Sequence, residues 1–148
     1  MPHQPHPQTF SIDNLLNELQ IEVKEQLQNA GKPEIDVEIY RYSDEHTCSI
    51  LADRERVRQA LSHLLGNAVK FIDRGFMVFG YHVLHDNIVD FFVDDTGAGK
   101  YNDTPPDLSP VRDLLQTMGS HLKEKITGTG ASYSFSIECE QVELTKIT

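Results

Sequence analysis

Between Asp53 and Phe71 the apolar residues recur on one side only. Val57, Ala60, Leu61, Leu64, Leu65, Ala68 and Phe71 follow helical spacing, and Asp53 in front of them is a capping residue. A helix with a single apolar face must bury that face against another layer. Two further stretches carry the same constraint. Ser11 caps a run in which Ile12, Leu15, Leu16, Leu19 and Val23 recur at helical spacing, ending near Ala30-Gly31. Ser109-Pro110 opens a shorter helix whose Val111, Leu114, Leu115 and Met118 face one way, with Gly119 as its stop.

β runs separate these helices. Ile35 to Tyr42 alternates apolar and polar residues, and Thr47 to Ala52 follows the turn Ser43-Asp44-Glu45-His46. Phe76 to Leu84 and Ile88 to Val93 flank His85-Asp86-Asn87 as a hairpin, and Leu122 to Ile126 and Ala131 to Glu138 flank Thr127-Gly128-Thr129-Gly130. The order is helix, two strands, three times over. It predicts an α+β two-layer sandwich: a mixed, mostly antiparallel sheet with about three helices over one face. The Pro- and His-containing start, residues 1–9, reads as a disordered tail, and residues 10–148 as one domain.

The formal net charge of -10 argues against a main role in gripping nucleic acid, which needs clustered Lys and Arg, and against contact with an anionic membrane surface. An anionic small ligand would need locally supplied positive charge. The two cysteines, Cys48 and Cys139, have neither disulfide-scaffold nor zinc spacing and read as half-buried thiols in a reducing compartment. No apolar run approaches membrane-spanning length, and the first residues do not form a secretion signal.

Two stretches carry candidate chemistry. In FFVDDTGAGK, residues 91–100, an apolar run ends in Asp94-Asp95 and a loop with Gly97 and Gly99. Such an end is also an ordinary turn. In RQALSHLLGNAVKF, residues 58–71, His63, Asn67 and Lys70 lie within a stripe roughly 60° wide on the border of the apolar face. Polar residues there are often only boundary residues, yet these three are chemically coherent. Asn67 offers a neutral oxygen to a magnesium ion that keeps most of its waters. Lys70 offers a point charge for phosphate. His63 can orient a water or accept a proton. Glycines after Asp95 let backbone N–H groups approach a ligand, and a carboxylate at Asp95 can accept from an adenine amine. Together these parts suit a purine nucleotide with Mg2+.

The chain resembles the ATP-binding catalytic domain of sensor histidine kinases, in the superfamily shared with gyrase, Hsp90 and MutL. RQALSHLLGNAVKF resembles the family's asparagine box, N-L-L-x-N-A-x-K-F or K-Y, and FFVDDTGAGK its first glycine box, D-x-G-x-G. FSIDNLLNEL and VRDLLQTMGSHL are similar to the first and last helices, and GTGASYSFSIE to the closing hairpin strand. The resemblance runs from Phe10 to about Glu138 and implies the Bergerat ATP-binding sandwich. It implies that Asp95 holds the adenine amine, that Gly97 and Gly99 turn the chain around the base, that Asn67 binds Mg2+, that Lys70 reaches the phosphates and that Phe71 lies near the adenine pocket. The ligands implied are ATP or ADP with Mg2+. The partners implied are a histidine-containing dimerisation segment or a response regulator. The location implied is cytoplasmic, free or as the cytoplasmic part of a membrane sensor.

Three departures qualify the activity. His63 stands where the family's kinases have Asn. The second glycine box, G-T-G-L-G-L, is replaced before the last helix by Pro105-Pro106-Asp107-Leu108-Ser109-Pro110, and Gly128-Thr129-Gly130 falls after that helix, where a hairpin turn is expected. The lid is reduced to a few residues around Tyr101-Asn102-Asp103. None of the seven histidines lies in an H-E-[IL]-x-x-P-type context of a phospho-acceptor helix. Two functions fit: a Mg-ATP-binding kinase domain, intact or degenerate, that phosphorylates a histidine on another segment, or a catalytically inactive module that regulates a signalling partner by protein contact.

Overall fold

A computed structural model describes residues 6–96, 107–127 and 130–147. The elements, in chain order, are β1 (Gln8–Ser11), α1 (Ile12–Asn29), β2 (Asp36–Tyr40), β3 (His46–Ala52), α2 (Arg54–Phe71), β4 (Phe76–Val83), β5 (Ile88–Asp95), α3 (Ser109–Gln116), β6 (Lys123–Thr127), β7 (Gly130–Glu138) and β8 (Gln141–Lys146). Each helix expected from apolar spacing is present. Ser11 Oγ accepts from Asn14 N–H at 3.2 Å, and Asp53 Oδ1 from Arg56 N–H at 3.2 Å, so both capping assignments hold. Gly119 takes a left-handed φ of 71° just after α3, and Ser120 N–H returns to the Leu115 carbonyl at 2.9 Å.

The strands form two sheets rather than one. The larger has the order β2-β4-β5-β7-β6, and the smaller β1-β3-β8. The runs on either side of residues 43–46 therefore do not pair with each other: β2 lies parallel to β4, while β3 leaves for the smaller sheet. β1 takes in Gln8 and Thr9, which the sequence reading placed in a tail, and β8 is an additional strand. The pairings β4-β5 and β6-β7 are antiparallel, as the hairpins predict, and β5 also pairs antiparallel with β7, across α3 and β6 in the chain.

One face of the larger sheet is the core. Met77, Phe79 and Tyr81 of β4, Val89, Phe91 and Val93 of β5, and Tyr133, Phe135 and Ile137 of β7 are all buried on it. α2 runs between α1 and α3 and brings Val57, Leu61, Leu64, Leu65 and Ala68 onto this layer. The two cysteines are fully buried, not half-buried as the sequence suggested. Beside Cys48, Asp13 in the first turn of α1 organises a buried polar cluster. It accepts from Cys48 N–H at 2.8 Å and from the Tyr81 hydroxyl at 3.1 and 3.2 Å, and pairs with Arg41 at 3.4 Å. A buried carboxylate is tolerated only when its oxygens are occupied in this way.

Candidate functional site

β5 carries its apolar residues inward at every second position, and the same alternation brings Asp95, its last residue, to the core side, where it is 5% exposed. The pairing does not stop there. Thr96 N–H donates to the Phe76 carbonyl at 3.0 Å, and Phe76 N–H donates to Thr96 Oγ1 at 3.2 Å. On the other side Asp95 pairs with Ala131 of β7. A Cβ on Gly130 would lie 2.1 Å from the Asp95 backbone oxygen, so only a glycine lets the β6-β7 hairpin close against this strand end. Gly130 thus belongs to the hairpin, as expected, and also fixes the acid. Beside Asp95 lies a cleft of about 360 Å³ lined by Asp94, Asp95, Thr96, Lys125, Gly130, Ala131 and Ser132. Lys125 is its one cation among these residues.

α2 carries the other candidates. Asn67 is half-buried, and its Nδ2 is buried with no hydrogen-bond partner among the described residues. Lys70 is exposed, with Nζ 5.4 Å from the centroid of the buried Phe71 ring. Lys32, just beyond the end of α1, donates to the Val69 and Lys70 carbonyls at 2.9 and 3.3 Å. It satisfies the last turn of α2 and holds the end from which Lys70 and Phe71 project.

His63 is engaged elsewhere. Its Nε2 lies 3.3 Å from the Asp107 backbone carbonyl, ahead of α3. His63 also lines a separate cleft of about 210 Å³ with Gln59, Pro110, Val111 and Leu114. Neither this cleft nor the one at Asp95 is lined by Asn67 or Lys70. Gly97 and Gly99 lie outside the described residues, as do the lid residues Tyr101-Asn102-Asp103 and the pair Pro105-Pro106.

At the start of α3, Asp107 Oδ1 accepts from Ser109 N–H at 3.1 Å. Those bonds from the Ser109 hydroxyl and N–H, with His63 adding to them, hold the Asp107 carboxyl below the ordinary range. Pro110 follows within the first turn and has no N–H. A helix N-terminus that could face an anion therefore already has a carboxylate on it.

Solved structures share this fold. ShkA, solved in complex with AMPPNP, superposes with a TM-score of 0.78 at 25% identity over 94% of this chain and 32% of ShkA. The Acinetobacter baumannii histidine kinase AdeS gives a TM-score of 0.76 at 15% identity, covering 94% of this chain and 70% of AdeS. The catalytic domain of histidine kinase ThkA gives 0.70 at 17% identity, covering 90% of this chain and 96% of that domain. The chain has the fold of a histidine-kinase ATP-binding domain. ThkA has also been solved in complex with the response regulator protein TrrA, a match at 19% identity and TM-score 0.72 that covers 93% of this chain and 42% of ThkA. No protein-family model matches the sequence, and neither does any curated protein.

Several contributors to the candidate site escape sequence reading. Lys32 and Lys125 are lone lysines with no motif around them, and Asp107 sits in a stretch that reads as a Pro-rich connection. Thr96 alone stands inside a recognised motif. Among the described residues no group of three or more His, Cys, Asp and Glu is placed to hold a metal, and no helix is long and apolar enough to cross a membrane.

Proposed function

We propose that the chain binds an adenine nucleotide through its base, with Asp95 as the acceptor for the exocyclic amine. The observation that carries this reading is the burial of Asp95 at the end of β5, beside an open cleft. The AMPPNP bound by ShkA supports the ligand class. Phe71, buried one residue after Lys70, supplies an apolar wall, and Gly97 and Gly99 give the backbone freedom to follow the base.

Mg2+ fits the residues present in one way. Asn67 supplies a single neutral oxygen, and phosphate and water supply the rest, a sharing that suits magnesium better than an all-protein cage. The half-buried amide of Asn67, with no partner on Nδ2 among the described residues, is consistent with a side chain oriented for something other than packing. Lys70 then reaches toward the phosphates from the same helix face.

The phosphate end is weak. Asp107 sits on the N-terminus of α3 and Pro110 removes one donor from its first turn. A phosphate there meets a carboxylate and too few N–H groups. This observation favours the second reading over catalysis: a degenerate histidine-kinase-type module that binds adenine nucleotide loosely and acts in two-component signalling through a protein partner. A response regulator, the kind of partner that ThkA has in its complex, or a histidine-containing dimerisation segment suits that role, in the cytoplasm.

Calorimetric titration with adenosine, ADP and ATP, each with and without Mg2+, tests the proposal. Measurable binding of all three with similar affinities is expected. No binding of any of the three overturns it. ATP binding about 100-fold tighter than adenosine would restore a working phosphate site and the kinase reading.

A further inference from the structure

The nucleotide reading uses the helix side and one end of the larger sheet, where Asp94, Ser132 and Lys125 border the cleft, and leaves the rest of the outer face unused. On that face Gly80 of β4 has no side chain, and a Cβ there would meet the Tyr40 backbone oxygen at 2.2 Å. The rings on the neighbouring strands close over the gap. Tyr40 and Phe92 have centroids 5.7 Å apart, and His82 contacts both, at 5.0 and 5.2 Å. This cover accounts for three rings but not for the rest of the stripe. Phe76 is 43% exposed and Tyr40 44%, and Val78 is half-buried between Phe76 and Gly80.

Carboxylates flank the stripe on both sides. Strand pairing sets Asp36 and Glu38 of β2 beside Phe76 and Val78. It sets Asp94 and Asp90 of β5 beside Val78 and His82. The β5 pair is held in place: Ser132 Oγ donates to Asp94 at 2.6 Å and Ser136 Oγ to Asp90 at 2.9 Å. Lys123 and Lys125 of β6 lie farther out, beside Ser134 and Ser132.

We propose that this face docks a basic amphipathic helix from a protein partner. The two acidic rows lie two strand spacings apart, about 10 Å, which matches the width of one helix. An apolar stripe of that helix would lie on Phe76, Val78, Tyr40 and Phe92, and Lys or Arg on its flanks would reach the carboxylates. Lys123 and Lys125 repel the same flanks and set the helix over β4 rather than β7.

A second copy of the chain fits this face badly. A two-fold axis along the strands through the sheet centre lays β5 on β5 and sets Asp90 and Asp94 against their own copies. A two-fold axis across the strands lays β2 antiparallel on β2 and β5 on β5, and brings the acidic residues of each strand against the same acidic strand of the copy. The net charge of -10 opposes both, and opposes an anionic membrane equally.

A synthetic amphipathic peptide with a leucine stripe and lysine flanks tests the surface, beside a twin with glutamate flanks. Amide NMR shifts of the full chain locate the contact, and fluorescence anisotropy gives its strength. The lysine peptide should shift amides of β4 and of facing residues in β2 and β5. Phe76→Asp, and separately the double variant Asp90→Asn with Asp94→Asn, should each weaken it about ten-fold or more. Glu25→Gln with Glu34→Gln, away from the face, should not. If Phe76→Asp fails to fold, Tyr40→Lys serves at an equally exposed position and should weaken binding similarly. Shifts scattered over the acidic surface, equal binding of the glutamate twin, or unchanged affinity in the face variants would overturn the proposal. So would concentration-dependent dimerisation of the chain that Tyr40→Lys abolishes.

Discussion

Gly130 and Asp95 meet backbone to backbone: a Cβ on the glycine would lie 2.1 Å from the aspartate's carbonyl oxygen. Neither partner in that contact can yield by rotating a side chain. Gly130→Ala should therefore push the hairpin off the end of β5, lowering stability by about 1–3 kcal/mol and weakening adenosine binding at the same time. Gly66, inside α2, is the opposite case, because the nearest atom to a Cβ there is the flexible Gln26 Oε1 at 4.0 Å. Gly66→Ala should raise stability by about 0.5–1 kcal/mol through helix propensity. Urea denaturation of the two variants checks both signs.

The buried thiols make stability fall in alkali. Burial, then the Asp13 carboxylate, pushes the Cys48 thiol up from 9.0 to about 12, and burial pushes Cys139 up to about 11. Tyr81 moves upward too, again by burial first and Asp13 second. The folded thiols keep their protons where the unfolded chain, near 9.0, releases them. Their contribution is full below that pH and is lost as the pH rises toward the folded values. Chemical denaturation should show a declining midpoint above about pH 9, and Cys48→Ala should flatten that decline. The same burial predicts slow thiol alkylation in the native chain at neutral pH and rapid alkylation in denaturant.

Asp13 is the most sensitive polar position in the core. Asp13→Ala leaves Cys48 N–H and the Tyr81 hydroxyl without their acceptor, while Arg41 keeps its bond to Asn17 Oδ1 at 2.7 Å. The loss should be about 3 kcal/mol, set by orphaned buried donors rather than by the net worth of the pair. Thermal unfolding of the variant measures it, and a shift near zero would mean that water replaces the carboxylate.

How much of this was legible in the sequence follows from how far each feature reaches along the chain. Ser11, Asp53 and Gly119 act within a turn of where they stand, so the helix ends could be read directly. The β4-β5 hairpin could be read because its strands are neighbours. The parallel pairing of β2 with β4 could not, because it skips β3 and α2. β1 and β8 are short, and most of their residues are exposed, so little apolar alternation marks them; both are defined by the same central strand, β3. Asp13 reads as a favourable charge in a first helical turn, and its buried role depends on Tyr81, 68 residues later. At the candidate site the motif residues Asp95 and Asn67 were visible, while Lys32 and Asp107 act through backbone groups that no motif announces.

The carboxylate on α3 gives a prediction opposite in sign to most substitutions at a ligand site. Asp107→Ser removes a negative charge from the helix start and keeps a side-chain oxygen to accept from Ser109 N–H. It should tighten ATP binding relative to adenosine. His63→Ala removes only the tie to the Asp107 carbonyl and should speed amide exchange in the first turn of α3 while leaving adenosine affinity in place. A large loss of adenosine affinity in His63→Ala would instead put the imidazole in contact with the base.

Asn67 separates metal from packing. Asn67→Ala should weaken ATP binding in Mg2+ and scarcely change adenosine binding, because adenosine has no phosphates through which to hold the ion. Equal losses for the two ligands, by calorimetry, would make Asn67 structural.

In the proposed site the base is read by Asp95. The most direct test is a calorimetric titration of adenosine into the wild-type chain and into Asp95→Asn, which puts a donor opposite the amine. A loss of roughly 5- to 150-fold is expected from one buried mismatched hydrogen bond. Equal affinity in the two proteins would contradict it.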